Sequence, residues 1–93
     1  MADTNTLKMA WLRNKGATNL HVQTAHEAYL RTKVGGTGAH FNTVLTGVLR
    51  NLGYTGSRLQ TSLSKFYKAK TGVGGNFETR ERAFFSNNTN DYI

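Results

Sequence analysis

Bulky apolar residues occur along the chain as adjacent pairs at a nearly constant spacing. Successive pairs begin 18, 19, 18 and 18 residues apart, and a further apolar residue lies seven positions before each of the last four pairs. A fixed period of this kind indicates a repeated structural unit, here a helix followed by a loop. The pairs are Trp11-Leu12, Tyr29-Leu30, Val48-Leu49, Phe66-Tyr67 and Phe84-Phe85, and the earlier residues are Val22, Phe41, Leu59 and Phe77.

Within each unit the apolar residues follow the period of an α-helix. From Phe41 to Leu52 they fall at i, i+3, i+4, i+7, i+8 and i+11, which is a continuous stripe along one helix face. We predict helices at residues 5–15, 19–33, 39–52, 57–70 and 76–86. Their connections would be only about 3–6 residues long, which is typical of antiparallel neighbours in helical domains. The predicted fold is therefore all-α, with about five short antiparallel helices built from a roughly 18-residue helix-loop repeat.

The residues between the stripes carry signals for the ends of helices. Ser57 is followed three residues later by Gln60, the spacing of a capping box at the start of a helix. Glycine follows the last polar or basic residue of three units, where a left-handed residue ends a helix. These glycines are Gly16, Gly53 and Gly72.

The two ends of the chain are poorer helix material than the middle. We predict one helical repeat domain over residues 1–93, with residues 1–6 and 87–93 as extended or flexible arms. The last arm is rich in Asn, Thr and Asp, which compete with the helix for backbone hydrogen bonds, yet it ends on Tyr92 and Ile93. Two roles remain open for these bulky residues: they anchor a neighbouring subunit, or they fold back onto the core of this chain.

The charge of the chain restricts the partners that it can bind. Among 93 residues, 12 are Lys or Arg and 5 are Asp or Glu, giving a net charge of +7. This excess favours nucleic acid, acidic protein surfaces or anionic lipid. The chain has no Cys, which excludes disulfides and thiolate zinc sites. No apolar run approaches the roughly 20 residues of a membrane helix, so we expect no membrane contact.

The residues that usually carry catalysis or bind metals are few and badly spaced for either role. His21 and His26 are five residues apart, about 140° around a helix, and His40 lies in the next unit, so we expect no metal site. Glu78 and Glu81 alternate with arginines, a pattern typical of local ion pairs. We therefore expect surface or half-buried histidines, no catalytic residues, no cofactor and no enzyme activity.

Cations concentrate in the last turn of nearly every predicted helix. There they stabilise the helix dipole, by about 0.3–1 kcal/mol each. In an antiparallel array, helices two and four would also bring four cations to one end of the molecule, opposite Arg13, Lys15 and Arg50. These four cations are Arg31, Lys33, Lys68 and Lys70. Together with Tyr92 and Ile93, they are the candidates for contact with a partner.

The segment from Leu49 to Leu59 resembles a short helical repeat of tailed-bacteriophage structural proteins. Those repeats combine an aromatic-Leu pair with an "LGYTGS" turn, which residues 52–57 match, and a following helix that begins with Leu. The other units match only in outline. The resemblance implies a non-enzymatic structural protein of the virion, made in the host cytoplasm, such as a capsid decoration or minor capsid protein or a tail accessory protein.

Two functions follow from these observations. The first is docking on other capsid or tail subunits, or on a second copy of the chain, with weak and non-specific nucleic-acid contact. The alternative is a small basic DNA-binding protein. A recognition helix presents polar residues from its N-terminal part to the bases, and the helix after Ser57 supplies Arg58, Gln60, Thr61 and Lys65.

Overall fold

The apolar stripes form helices, as the sequence predicts. The computed structural model describes residues 3–93, and over these the fold is all-α with no strand. Every observed helix end lies within three residues of its predicted position. The helices are α1 (Thr4–Asn14), α2 (Val22–Tyr29), which continues into a π-helical segment (Leu30–Val34), α3 (Phe41–Asn51), α4 (Leu59–Thr71) and α5 (Phe77–Phe85).

The five apolar pairs form the core. All ten of their side chains are buried, the most exposed being Tyr29 at 4%. The apolar residue seven positions ahead of a pair is half-buried and packs against the same core in α2 to α5. Helical periodicity alone therefore identified most of the buried apolar residues, because one face of each helix has to be covered.

The helices pack in a closed order. Each contacts the next along the chain, and α1 also contacts α5. The Trp11 ring lies 5.3 Å from the Tyr29 ring and 5.7 Å from the Phe84 ring, and Phe66 lies 5.4 Å from Phe84. These four residues are all first members of their pairs. The contacts thus join equivalent positions of different units and not opposite ends of neighbouring helices. They do not confirm the antiparallel course predicted for these helices.

The turn after α3 ends the helix by the mechanism expected of its sequence. Gly53 adopts a left-handed φ of 91°, its N–H donates to the carbonyl of Arg50, and the N–H of Tyr54 donates to the carbonyl of Leu49. These two bonds define a Schellman motif. The Tyr54 ring then packs edge-on against Phe66 of α4 at 5.4 Å, so the turn also fixes where the next helix lies.

The capping box predicted at Ser57 is wrong. Helix α4 begins at Leu59, its N-cap is Arg58 in an extended conformation, and no side chain caps its first turn. Gly56 lies against that turn: a Cβ there would be 3.1 Å from the methyl group of Thr61. Helix α4 therefore starts two residues later than the predicted position 57, at a turn with little room for a side chain at Gly56.

The prediction of an N-terminal arm is also wrong for the part that the structure describes. Helix α1 starts at Thr4, and the Asp3 carboxylate accepts a hydrogen bond of 2.7 Å from the N–H of Thr6. Such a side-chain cap satisfies an otherwise unpaired amide of the first turn, so polar residues can begin this helix without an apolar stripe. The rest of the predicted arm, residues 1–2, lies outside the described residues.

The C-terminal tail folds back into the centre of the helices. Tyr92 is fully buried, and its ring stacks on Phe66 with centroids 5.1 Å apart and planes 6° apart. It also contacts the rings of Trp11 and Phe84. The Tyr92 hydroxyl lies 2.6 Å from Nε2 of His26. One residue of the tail thereby links α1, α2, α4 and α5.

The residues just before Tyr92 are held by polar contacts to two helices. The indole N–H of Trp11 donates to the carbonyl of Asn90 at 3.0 Å. The Tyr29 hydroxyl donates to the carboxylate of Asp91 at 2.6 Å, and Lys15 pairs with the same carboxylate at 3.4 Å. Of the two roles left open by the sequence, packing onto the chain's own core is the one observed for Tyr92.

Candidate binding surface

The acidic side chains are largely engaged within the molecule. Three of the five pair with cations, and the other two lie at helix N-termini, Asp3 as the cap of α1 and Glu78 in the first turn of α5. The hydrogen bond from the Thr6 amide holds the pKa of Asp3 below its ordinary value. Within residues 3–93, most of the other cations form no ion pair with a carboxylate. The ion pairs are Lys8–Glu81 at 2.8 Å, Lys15–Asp91 at 3.4 Å and Arg31–Glu27 at 2.9 Å.

The four cations expected to share one end of the molecule do not form the predicted cluster. Arg31, Lys33, Lys68 and Lys70 are all exposed, but neither α2 nor its π-helical extension contacts α4. Instead, Lys33 and Lys15 line the same cleft of about 250 Å³. The prediction placed these two residues at opposite ends, and it is wrong for them because α1 and α2 pack with equivalent positions together.

The two terminal residues proposed as partner contacts have opposite environments. Tyr92 is fully buried, so its assignment as a partner contact is wrong: its ring fills the chain's own core. Ile93 is 74% exposed. Leu20, in the loop before α2, is 94% exposed and was not singled out from the sequence. Aliphatic side chains that are exposed singly are common on protein surfaces and do not by themselves indicate an interface.

A basic cleft lies between the N-terminal halves of α4 and α5. Arg58 and Lys65 on its rim are exposed, whereas Arg80 is half-buried. Nη1 of Arg80 donates to Oγ of Ser64 at 2.7 Å, and its Nε is buried without a hydrogen-bond partner. Among residues 3–93, no carboxylate lies within ion-pair distance of these three cations. The cleft measures about 480 Å³ and is completed by Gln60, Thr61, Ser64 and Phe77.

The sequence does not predict Arg80 as a binding residue, because its charge is explained there by a local ion pair with a neighbouring glutamate. The alternating charges predicted local ion pairs, but Glu81 is buried and pairs with Lys8 of α1. A signal was present in the sequence: Phe77, Arg80 and Phe84 fall at i, i+3 and i+7, so the arginine occupies a position of the apolar stripe. A cation at such a position lies beside the core and not in open solvent.

Only two of the three histidines have the exposure that the sequence predicts. His21 and His40 are exposed N-caps, whereas His26 is buried. Burial, helped by the nearby charge of Lys8, lowers the pKa of His26 to about 3. The same burial raises the pKa of Tyr92, which also hydrogen bonds to the Tyr67 hydroxyl. His26, Tyr92 and Tyr67 thus form an uncharged polar chain inside an aromatic core.

Within residues 3–93, no three His, Asp or Glu side chains lie close enough to hold a metal ion together. None of the helices in this range combines the length and apolar character of a membrane span.

Comparison with known proteins adds no relative to this picture. No protein-family model matches the chain, and neither a curated protein nor a solved structure matches it. The resemblance to tailed-phage repeats therefore depends on the residues that carry it, chiefly the turn at 52–57.

Proposed function

We propose that this protein is a non-enzymatic docking module of a tailed-phage virion, acting as a capsid decoration, minor capsid or tail accessory protein. The resemblance of residues 52–57 to phage structural repeats supplies the setting. The observation that carries the docking function is the surface charge. Three of the five carboxylates are engaged in ion pairs within the chain, while exposed cations such as Lys33, Lys68 and Lys70 have no acidic partner among residues 3–93. A surface of this kind favours an acidic subunit as its partner.

Docking of this type has a definite electrostatic signature. Unpaired surface cations accelerate association with an acidic protein. The effect weakens as salt is added, because at 0.1 M ionic strength charges more than about 10 Å apart are largely screened from one another. Ile93 and Leu20 add apolar contact area, which salt does not weaken. The partner surface should therefore be acidic.

The direct test is purification of intact phage particles from cells that express the protein. We expect the chain in the particle fraction at a fixed ratio to the major capsid or tail subunit. Recovery with free DNA and not with particles would overturn the proposal.

A pair of charge variants on one helix makes the test specific. Lys68→Gln/Lys70→Gln removes two cations from the C-terminal part of α4, and Arg58→Gln/Lys65→Gln removes two from its N-terminal region. We expect the first variant to lower particle occupancy and the second to leave it unchanged. Equal loss in both would mean that net charge, and not a defined surface, drives association.

A further inference from the structure

The basic cleft between α4 and α5 has a second use, which goes beyond docking on a protein. We propose that it binds a phosphodiester group of a nucleic-acid backbone. Three cations from two elements line one depression, with no carboxylate among the lining residues. A phosphate is the anion that most fully uses such an arrangement, since guanidinium and ammonium groups bind its oxygens by charge-assisted hydrogen bonds.

The Arg80 side chain is preorganised for binding an anion. Its Nη1 is fixed by the Ser64 hydroxyl at 2.7 Å, so its guanidinium loses little freedom on binding. Its buried Nε lacks a hydrogen-bond partner. A partly desolvated guanidinium without a counter-charge is unfavourable, and an oxyanion in the cleft supplies that counter-charge.

The start of α4 adds to the positive potential of the cleft. This helix has 13 residues, and no side chain caps its first turn. Arg58 is the N-cap, and Gln60 and Thr61, in the first turn, line the cleft. The uncapped N–H groups carry the positive end of the helix dipole, which favours phosphate. The missing side-chain cap and the Arg80 guanidinium, which has no carboxylate partner among residues 3–93, are independent features of the same cleft.

The size and donors of the cleft favour a phosphodiester over a single carboxylate. A carboxylate is satisfied by one guanidinium, whereas this cleft offers three cations together with the Thr61 and Ser64 hydroxyls and the Gln60 amide. Its volume of about 480 Å³ leaves room for the sugars on either side of the phosphate. Nothing in the set selects a base, so the binding is independent of sequence, with a Kd of roughly 10⁻⁴–10⁻⁶ M at physiological salt.

The test measures binding of the whole protein to a labelled DNA duplex of arbitrary sequence across a salt series. Each phosphate contact contributes about 0.9 to the slope of log K against log salt. Arg58→Gln/Lys65→Gln should therefore reduce the slope by about two and weaken binding. Lys68→Gln/Lys70→Gln removes the same charge from the other end of α4 and should leave the slope nearly unchanged. Equal slopes for both variants would overturn the site.

Arg80 and the competing ligand are tested separately. Arg80→Lys keeps the charge but loses the planar fork, and we expect it to weaken DNA binding while circular dichroism shows an unchanged fold. Oligoglutamate serves as the carboxylate probe. If it binds wild type at the cleft, as judged by loss in Arg58→Gln/Lys65→Gln, and DNA does not, the phosphodiester assignment is wrong. Because the readout is DNA binding, its failure leaves the particle-docking proposal standing, and the reverse also holds.

Discussion

At the scale of single residues, Tyr92 combines an apolar and a polar contact in one side chain. Its ring stacks on Phe66, and its hydroxyl lies 2.6 Å from Nε2 of His26. Tyr92→Phe keeps the ring but leaves the buried imidazole without that partner, which costs about 1–3 kcal/mol. Tyr92→Ala also leaves a cavity and should cost about 3–5 kcal/mol. Urea unfolding measures both, and equal stability of Tyr92→Ala and wild type would contradict this account.

His26 should make the stability of the protein sensitive to mild acid. Its pKa is about 3 in the folded protein and about 6.5 when unfolded, so between these values the unfolded chain binds the extra proton. The ionisation of His26 therefore costs no stability above pH 6.5. As the pH drops from 6.5 towards 3, it lowers the free energy of unfolding by up to about 1.4 kcal/mol per pH unit. His26→Gln should flatten the dependence in urea titrations between pH 7.5 and 5.

The control for this pH dependence is another histidine of the same chain. His21 is exposed and its side chain makes no cap hydrogen bond. His21→Gln should therefore leave the slope of stability against pH as in wild type. If His21→Gln abolishes the pH dependence of stability and His26→Gln preserves it, the prediction for His26 is wrong.

At the scale of elements, the turn after α3 depends on a backbone conformation that only glycine adopts easily. Gly53 has φ of 91°, and a Cβ there would meet nothing within 4 Å. Gly53→Ala should therefore cost only backbone strain, about 1–2 kcal/mol. Gly74 is the control, because its φ is not positive and the space around it is open. Gly74→Ala should be neutral or slightly stabilising, and thermal melts compare the two.

The elements were predictable because their signal is local. An apolar stripe of period 3.6 is present in a single helix before any partner is considered, which is why α3 from Phe41 to Asn51 was located within two residues. The start of α4 was located equally closely, but the side-chain cap expected there does not form. The π-helical segment at Leu30–Val34 was likewise not predicted, and we have no sequence signal that distinguishes it from a continuation of α2.

At the scale of the whole molecule, the contacts that sequence reasoning missed are those between distant segments. Lys8 and Glu81 are far apart in the chain, as are His26 and Tyr92. Periodicity identifies which face of a helix is buried but not which helix covers it. The basic cleft depends on this second kind of information, since Arg80 of α5 meets Ser64 of α4 only after the two helices have packed.

Removal of the tail tests whether the molecule depends on its closed packing. Deleting residues 90–93 removes Tyr92 from contact with four helices, along with the acceptors of the Trp11 and Tyr29 hydrogen bonds. A small domain has only about 5–15 kcal/mol of stability in total, so we expect a strongly lowered melting temperature and a red-shifted Trp11 fluorescence. Deleting Ile93 alone, a residue 74% exposed, should change neither. A chain that loses residues 90–93, keeps its melting temperature and no longer joins particles would instead identify the tail as a docking arm.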